Sequence, residues 1–258
     1  MSLIIRIIMV VSFLVLTCYN SLIYANSEAN SCTELVPYCE LPYEERALLP
    51  ESLLHDPVPI ELMEPQTDIF LWQPFTEIKG VRQKYSYVDP KREIADRPLE
   101  LALSYYDNLK NKLKKPEYLG VINYRQHSSE PRLYLIDMNS GKVEKMQVSH
   151  GEGSDQKNTG YPKLFSNTVD SHMSSIGAFI TSEPYYGKSG YSLRVDGIEK
   201  SNSRMRERSV VIHGSDYVKP NLNPIGRSWG CPAVQRDKSK TLIENIKEGV
   251  LFLAWYNQ

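Results

Sequence analysis

The chain has 258 residues with a formal net charge of -1, enough to bury one good-sized core or a core with a smaller appendage. That balance argues against nucleic acid as a partner, because phosphate binding needs a basic surface and no dense Lys/Arg run supplies one. The 17 tyrosines fit an extracytoplasmic, β-rich protein.

Residues 1–25 read as an export signal. Arg6 is the only early charge, Ile7 to Leu16 form an apolar core, and Ala25 offers a cleavage position. The run falls short of the roughly 20 residues of a comfortable span, and Asn20 interrupts it, so no stable membrane span is expected after its removal. Lipid anchoring at Cys18 is the lesser reading, because Thr17 stands where Gly, Ala or Ser is expected. The expected place is outside the cytoplasm, periplasmic or secreted.

Residues 26–95 form a Pro-rich segment, broken at Pro37, Pro42, Pro50, Pro57, Pro59, Pro65 and Pro74. It reads either as an extended arm docked through Trp72 and Phe75 or as a disordered linker. Residues 96–258 then carry the catalytic-sized domain. A helix is predicted from Arg97 to Lys114, with Leu99, Ala102, Leu103, Tyr106, Leu109 and Leu113 on one face, Asp96 as its cap and Pro116 as its stop.

Beyond it the texture is short strands and turns. Leu133–Ile136 and Val143–Val148 flank the hairpin signal Asn139-Ser140-Gly141. Ala178–Thr181, Ser192–Val195 and Ser209–Ile212 are further strands. Lys238–Lys247 reads as a helix and Val250–Trp255 as a final buried strand. The expected fold is mainly β with a few helices.

Removal of residues 1–25 leaves Cys32, Cys39 and Cys231. In an oxidising compartment Cys32 and Cys39 can close a small loop, which makes Cys231 the odd thiol. It is buried and inert, paired between chains, or reactive. A free thiol has a pKa of about 8.5, so nucleophilic work at neutral pH needs a base or a cation nearby. His213, at the end of the apolar run Val210-Val211-Ile212, is the candidate base. Arg227 is a candidate cation, and Gly230 permits a tight turn whose N–H groups could face an oxyanion.

The stretches Val148-Ser149-His150-Gly151, Ser174-Ser175-Ile176-Gly177-Ala178-Phe179, Gly187-Lys188-Ser189-Gly190-Tyr191-Ser192-Leu193, Val211-Ile212-His213-Gly214 and Gly226-Arg227-Ser228-Trp229-Gly230-Cys231-Pro232 stand in order along residues 118–255. Together they resemble the murein L,D-transpeptidase catalytic-domain family of the YkuD type. The resemblance implies a β-sandwich-like catalytic domain with Cys231 as nucleophile, His213 as base and an oxyanion hole near Gly230 and Cys231. A backbone carbonyl or small polar group would orient His213. Two departures stand out: Trp229 replaces the histidine of Ser-His-Gly-Cys, and Pro232-Ala233 lies where the family pattern runs on to an Arg or Asn. Arg227 or Arg194 would then supply the cation.

His150 is a further cleft candidate, His172 reads as surface, and Ser228 reads as a loop-holding hydroxyl. Gly187-Lys188-Ser189-Gly190 lacks the first glycine of a phosphate loop and reads as a turn whose Lys188 and Tyr191 line the cleft. The expected partners are peptidoglycan stem peptides, and nothing calls for a cofactor. The leading function is an exported cysteine acyl-transferase whose thioester is resolved by an amine. Rival readings are an L,D-carboxypeptidase or endopeptidase, a non-catalytic wall-binding module, and a zinc enzyme using His150, His172, His213 and Cys231.

Overall fold

The computed structural model describes residues 75–256. The export signal, Cys18, Cys32, Cys39 and Trp72 lie outside the described residues. Eight strands form one mixed sheet in the order β3-β2-β1-β8-β4-β5-β6-β7. They are β1 (Tyr118–Asn123), β2 (Leu133–Asp137), β3 (Val143–Met146), β4 (Gly177–Gly187), β5 (Gly190–Gly197), β6 (Val211–Ser215), β7 (Ala233–Gln235) and β8 (Leu251–Trp255). Among the described residues three α-helices accompany them: α1 (Val81–Lys84), α2 (Asp96–Leu109) and α3 (Arg236–Ile246). The chain is mainly β with few helices, as its short alternating runs predict.

The two edges of the sheet meet. Just past β3, Val148 forms an antiparallel bridge to Val234 of β7, and the Ser149 N–H donates to the Ala233 carbonyl at 2.8 Å. Edge strands left open invite pairing with other chains, and closure removes that liability. The layers of the expected sandwich-like packing are opposite walls of this curled sheet.

Alternation in β8 sorts the core into two sides. Phe252 and Ala254 point inward with Leu193, Val195, Ile212, Val234 and the α3 residues Leu242, Ile243 and Ile246. Leu251, Leu253 and Trp255 point outward beneath α2. The Phe252 ring lies over Gly120, where an added Cβ would come within 2.1 Å of it; no other residue permits that approach.

The α2 stripe is buried as predicted, Leu99 to Leu109 and on to Leu113. The helix itself stops at Leu109, because the chain tightens there: Lys112 and Leu113 both donate to the Leu109 carbonyl. Asp96 is the first helical residue and not the cap, since Ala95 holds that position without a side-chain bond. The packed unit also takes in residues assigned by composition to the N-terminal segment. Phe75 stacks on Tyr105 at 3.8 Å, and Val81, Tyr85, Val88 and Ile94 join the core under α2.

Candidate active site

The site sits at the closure seam, on the outer face of β6 and β7. Parallel pairing sets His213 beside Ala233, so Cys231, two residues before Ala233, lies alongside Val211. Its sulfur accepts from the Val211 N–H at 3.5 Å, and its thiol donates to the Ser209 carbonyl at 3.6 Å. In β6, Ile212 faces the inner cluster, so Val211 and His213 face the opposite side with Cys231. His213 is thus mid-strand, paired with Ser192 on its other flank, and does not end the strand as the apolar run suggested.

His213 is 7 % exposed. Its Nδ1 lies 3.1 Å from the Gly214 carbonyl. A carbonyl only accepts, so Nδ1 carries the proton and Nε2 is left as the acceptor. Burial holds this imidazole below the usual histidine range, partly opposed by the Gly214 carbonyl and reinforced by Arg236. The Cys231 thiol is pushed up by burial, against the Val211 N–H and the charge of Arg208. Both shifts favour a neutral thiol and a neutral imidazole at rest, rather than a standing thiolate–imidazolium pair.

The loop carrying the thiol is held by hydroxyls. Ser228 Oγ donates to the Cys231 carbonyl at 2.6 Å and accepts from the Gly230 N–H at 3.1 Å. Ser149 Oγ also reaches the Cys231 carbonyl, at 3.3 Å. The Gly230 N–H is therefore engaged and does not face an oxyanion as the sequence suggested. Among the described residues the Cys231 N–H meets no acceptor. What Gly230 supplies is conformation: its φ is 119°, and a Cβ there would lie 2.8 Å from the Met173 carbonyl.

Several sequence candidates fall elsewhere. His150 is fully buried, with Nδ1 2.7 Å from Arg132 Nη2 and Nε2 3.3 Å from Asp155 Oδ2. Arginine only donates, so Nδ1 accepts and Nε2–H donates; both nitrogens are spent and none faces a cleft. Burial, then the Arg132 charge, pushes this histidine down to about 3.

Arg194 is on the His213 face, opposite Val211 in the β5–β6 pairing, but its guanidinium lies 3.1 Å from Glu183 and stacks over Tyr185. Arg227 donates to the Asp155 carbonyl. Tyr191 packs against the inner cluster and donates to Glu244 of α3, because alternation turns it away from the His213 face. Lys188 is at the exposed tip of the β4–β5 hairpin. The zinc reading loses His150 to Arg132 and Asp155, and among the described residues no three His, Cys, Asp or Glu are grouped to hold a metal ion.

Trp229 projects outward, 72 % exposed, and stacks on His172 with centroids 4.7 Å apart and planes 4° from parallel. His172 Nδ1 lies 2.9 Å from Glu152 Oε1. Surface assignment of His172 thus missed its position as the brace of the residue beside the thiol. Arg208 was missed as well. It stands just ahead of β6 in the alternating run Arg204, Arg206, Arg208, and nothing in residue type sets it apart there.

A family model for the L,D-transpeptidase catalytic domain matches residues 90–255. Comparison with curated proteins finds no match. Among solved structures, an L,D-transpeptidase from Mycobacterium tuberculosis is similar at 15 % identity and a TM-score of 0.36, covering 54 % of this chain and 57 % of that one. L,D-transpeptidase 3 from the same organism matches at 13 % identity and 0.36, covering 54 % and 61 %. An L,D-transpeptidase from Xylanimonas cellulosilytica matches at 15 % and 0.32, covering 54 % and 60 %. The chain spans between half and two thirds of the length of these structures.

Proposed function

The chain belongs to the L,D-transpeptidase catalytic-domain family, and from that premise we propose that it is an exported cysteine acyl-transferase acting on peptidoglycan stem peptides. Cys231 attacks the carbonyl of the L,D-amide between the third-position diamino acid and the terminal D-residue. His213 Nε2 takes the thiol proton as the C–S bond forms, then gives it to the amine as the C–N bond breaks. A thioester acyl-enzyme results, and the Cys231 N–H donates to the oxyanion that precedes it. An amine from a second stem resolves the thioester into a crosslink; resolution by water makes the same site an L,D-carboxypeptidase or endopeptidase.

The observation that carries this reading is the β6–β7 register, which sets the thiol beside the strand of a histidine whose Nδ1 is committed to Gly214. Because thiol and imidazole are both neutral at rest, proton transfer accompanies attack and does not precede it. Incubation of the purified protein with tetrapeptide stems, with products weighed by mass spectrometry, tests the reading. A dimer or a shortened stem is expected, and neither from Cys231→Ala. Full turnover by that variant would overturn the mechanism, and wild-type protein that neither reacts with stems nor alkylates quickly at Cys231 would favour the wall-binding module.

A further inference from the structure

Among the described residues Arg208 is a cation without a counter-anion. Its Nη1 donates to the Ser166 carbonyl and to Ser175 Oγ, both at 2.6 Å. Its Nη2 donates to Ser171 Oγ at 3.1 Å and to the Met173 carbonyl at 2.6 Å. All four partners are neutral oxygens, and Nε is buried without any partner among the described residues. An unmet buried donor costs about 1–3 kcal/mol, and a half-buried charge held only by neutral dipoles is costly unless an anion arrives.

The place where an anion would form is adjacent. A Cβ built on Gly230 would lie 3.4 Å from Arg208 Nη2, which sets the guanidinium against the residue that precedes Cys231. Ser209, next in sequence to Arg208, stands at φ 52°, a left-handed conformation that costs a non-glycine residue about 1–2 kcal/mol. Its carbonyl is the one the thiol donates to. Strain in the chain and an uncompensated charge thus meet at the same sulfur.

The same guanidinium also grips the segment that walls the site. Ser171 and Met173, both held by Nη2, bracket His172, and His172 is stacked on Trp229. The other titratable groups bearing on the thiol are Tyr124 and Tyr217, phenols that burial pushes up and that stay neutral. Among the described residues Arg208 is the cation whose charge opposes the burial of the thiol.

We propose that Arg208 is the positioning residue of this site: one guanidinium sets a fixed positive charge beside the Cys231 sulfur, for the negative charge that develops as the thiol attacks and for the tetrahedral oxyanion, and clamps the 166–175 segment that braces Trp229. The charge awaits an anion that only the reaction makes, which is electrostatic preorganisation. This rests on the reading of Cys231 as nucleophile.

The test is the pH dependence of Cys231 alkylation by iodoacetamide, mapped by mass, in the full chain and in Arg208→Gln and Arg208→Lys, with tryptophan emission recorded alongside. Loss of the charge is expected to raise the thiol titration by about one pH unit, a roughly tenfold slower reaction at neutral pH, and to lower kcat with little change in KM. Lysine is expected to keep the thiol titration but not the four-bond clamp, so its Trp229 emission shifts. A thiol in Arg208→Gln that titrates as wild type overturns the proposal. Should that variant fail to fold, a Lys variant titrating like an uncharged one overturns it equally. Stem-peptide turnover separates the two readings: a shifted thiol in a protein that never turns over stems removes the proposed function and leaves this inference standing.

Discussion

Two His-Gly pairs in this chain look alike in sequence and differ in everything that matters chemically. In His150-Gly151 and His213-Gly214 each ring is buried, and burial drives each below the usual histidine range. His150 has a cation on one nitrogen and a carboxylate on the other. His213 has a single carbonyl on Nδ1, which leaves Nε2 for a proton. Burial makes both neutral; the count of partners decides which one can act.

The sharpest way to break this comparison is at His213. His213→Gln is expected to lower kcat by about 10²–10⁴ while shifting stability by under about 1 kcal/mol, read by stem-peptide turnover and thermal melting. Because the folded imidazole is held below its ordinary value of 6.5, the acid limb of kcat/KM is expected below pH 6.5; a limb above it would contradict the neutral resting pair.

Next in size is the pH dependence of stability. His150 titrates at about 3 in the folded chain, against 6.5 for the free side chain. Between those values the unfolded state binds a proton that the folded state refuses. Stability is therefore full above pH 6.5 and lost as pH falls towards 3, with a slope of about 1.4 kcal/mol for each pH step of one. Denaturant melts across that window should show the slope, and His150→Gln should flatten it by one proton.

At fixed neutral pH the same substitution leaves Arg132 or Asp155 short of a partner, and is expected to cost about 1–3 kcal/mol with kcat changed by no more than a few-fold. A large loss of kcat in a still-folded His150→Gln protein would return His150 to the chemistry. Smallest of all, Trp229→His exchanges one exposed ring for another and should move stability by under about 0.5 kcal/mol. Its readout is KM for stems, since the indole is exposed two residues before Cys231 and is not in the dyad.

Much of the fold was legible because alternation and turn chemistry are local. The β2–β3 hairpin follows from Asn139-Ser140-Gly141, where Gly141 takes φ 74°, and the α2 stripe follows from its period. Strand β7 was not legible: its three residues follow Pro232 and have no periodicity of their own, and they are a strand only because β6 and the chain beyond β3 both pair with them. Strand β1 escaped for a related reason, since Tyr118 to Asn123 includes Gly120, a residue that weakens a strand unless something such as the Phe252 ring needs the room.

The same division runs through the site. Cysteine count, the Ser-Trp-Gly-Cys run and the upstream His-Gly are sequence properties, and they were sufficient to name Cys231 and His213 and to suggest the family. Which histidine keeps a free nitrogen and which arginine lies near the sulfur depend largely on pairings between residues 18 to 35 positions apart. Hydrogen-bond partners and burial arise from such long-range contacts, so residue type alone could nominate the groups and only the closed sheet assigned their charges and their partners.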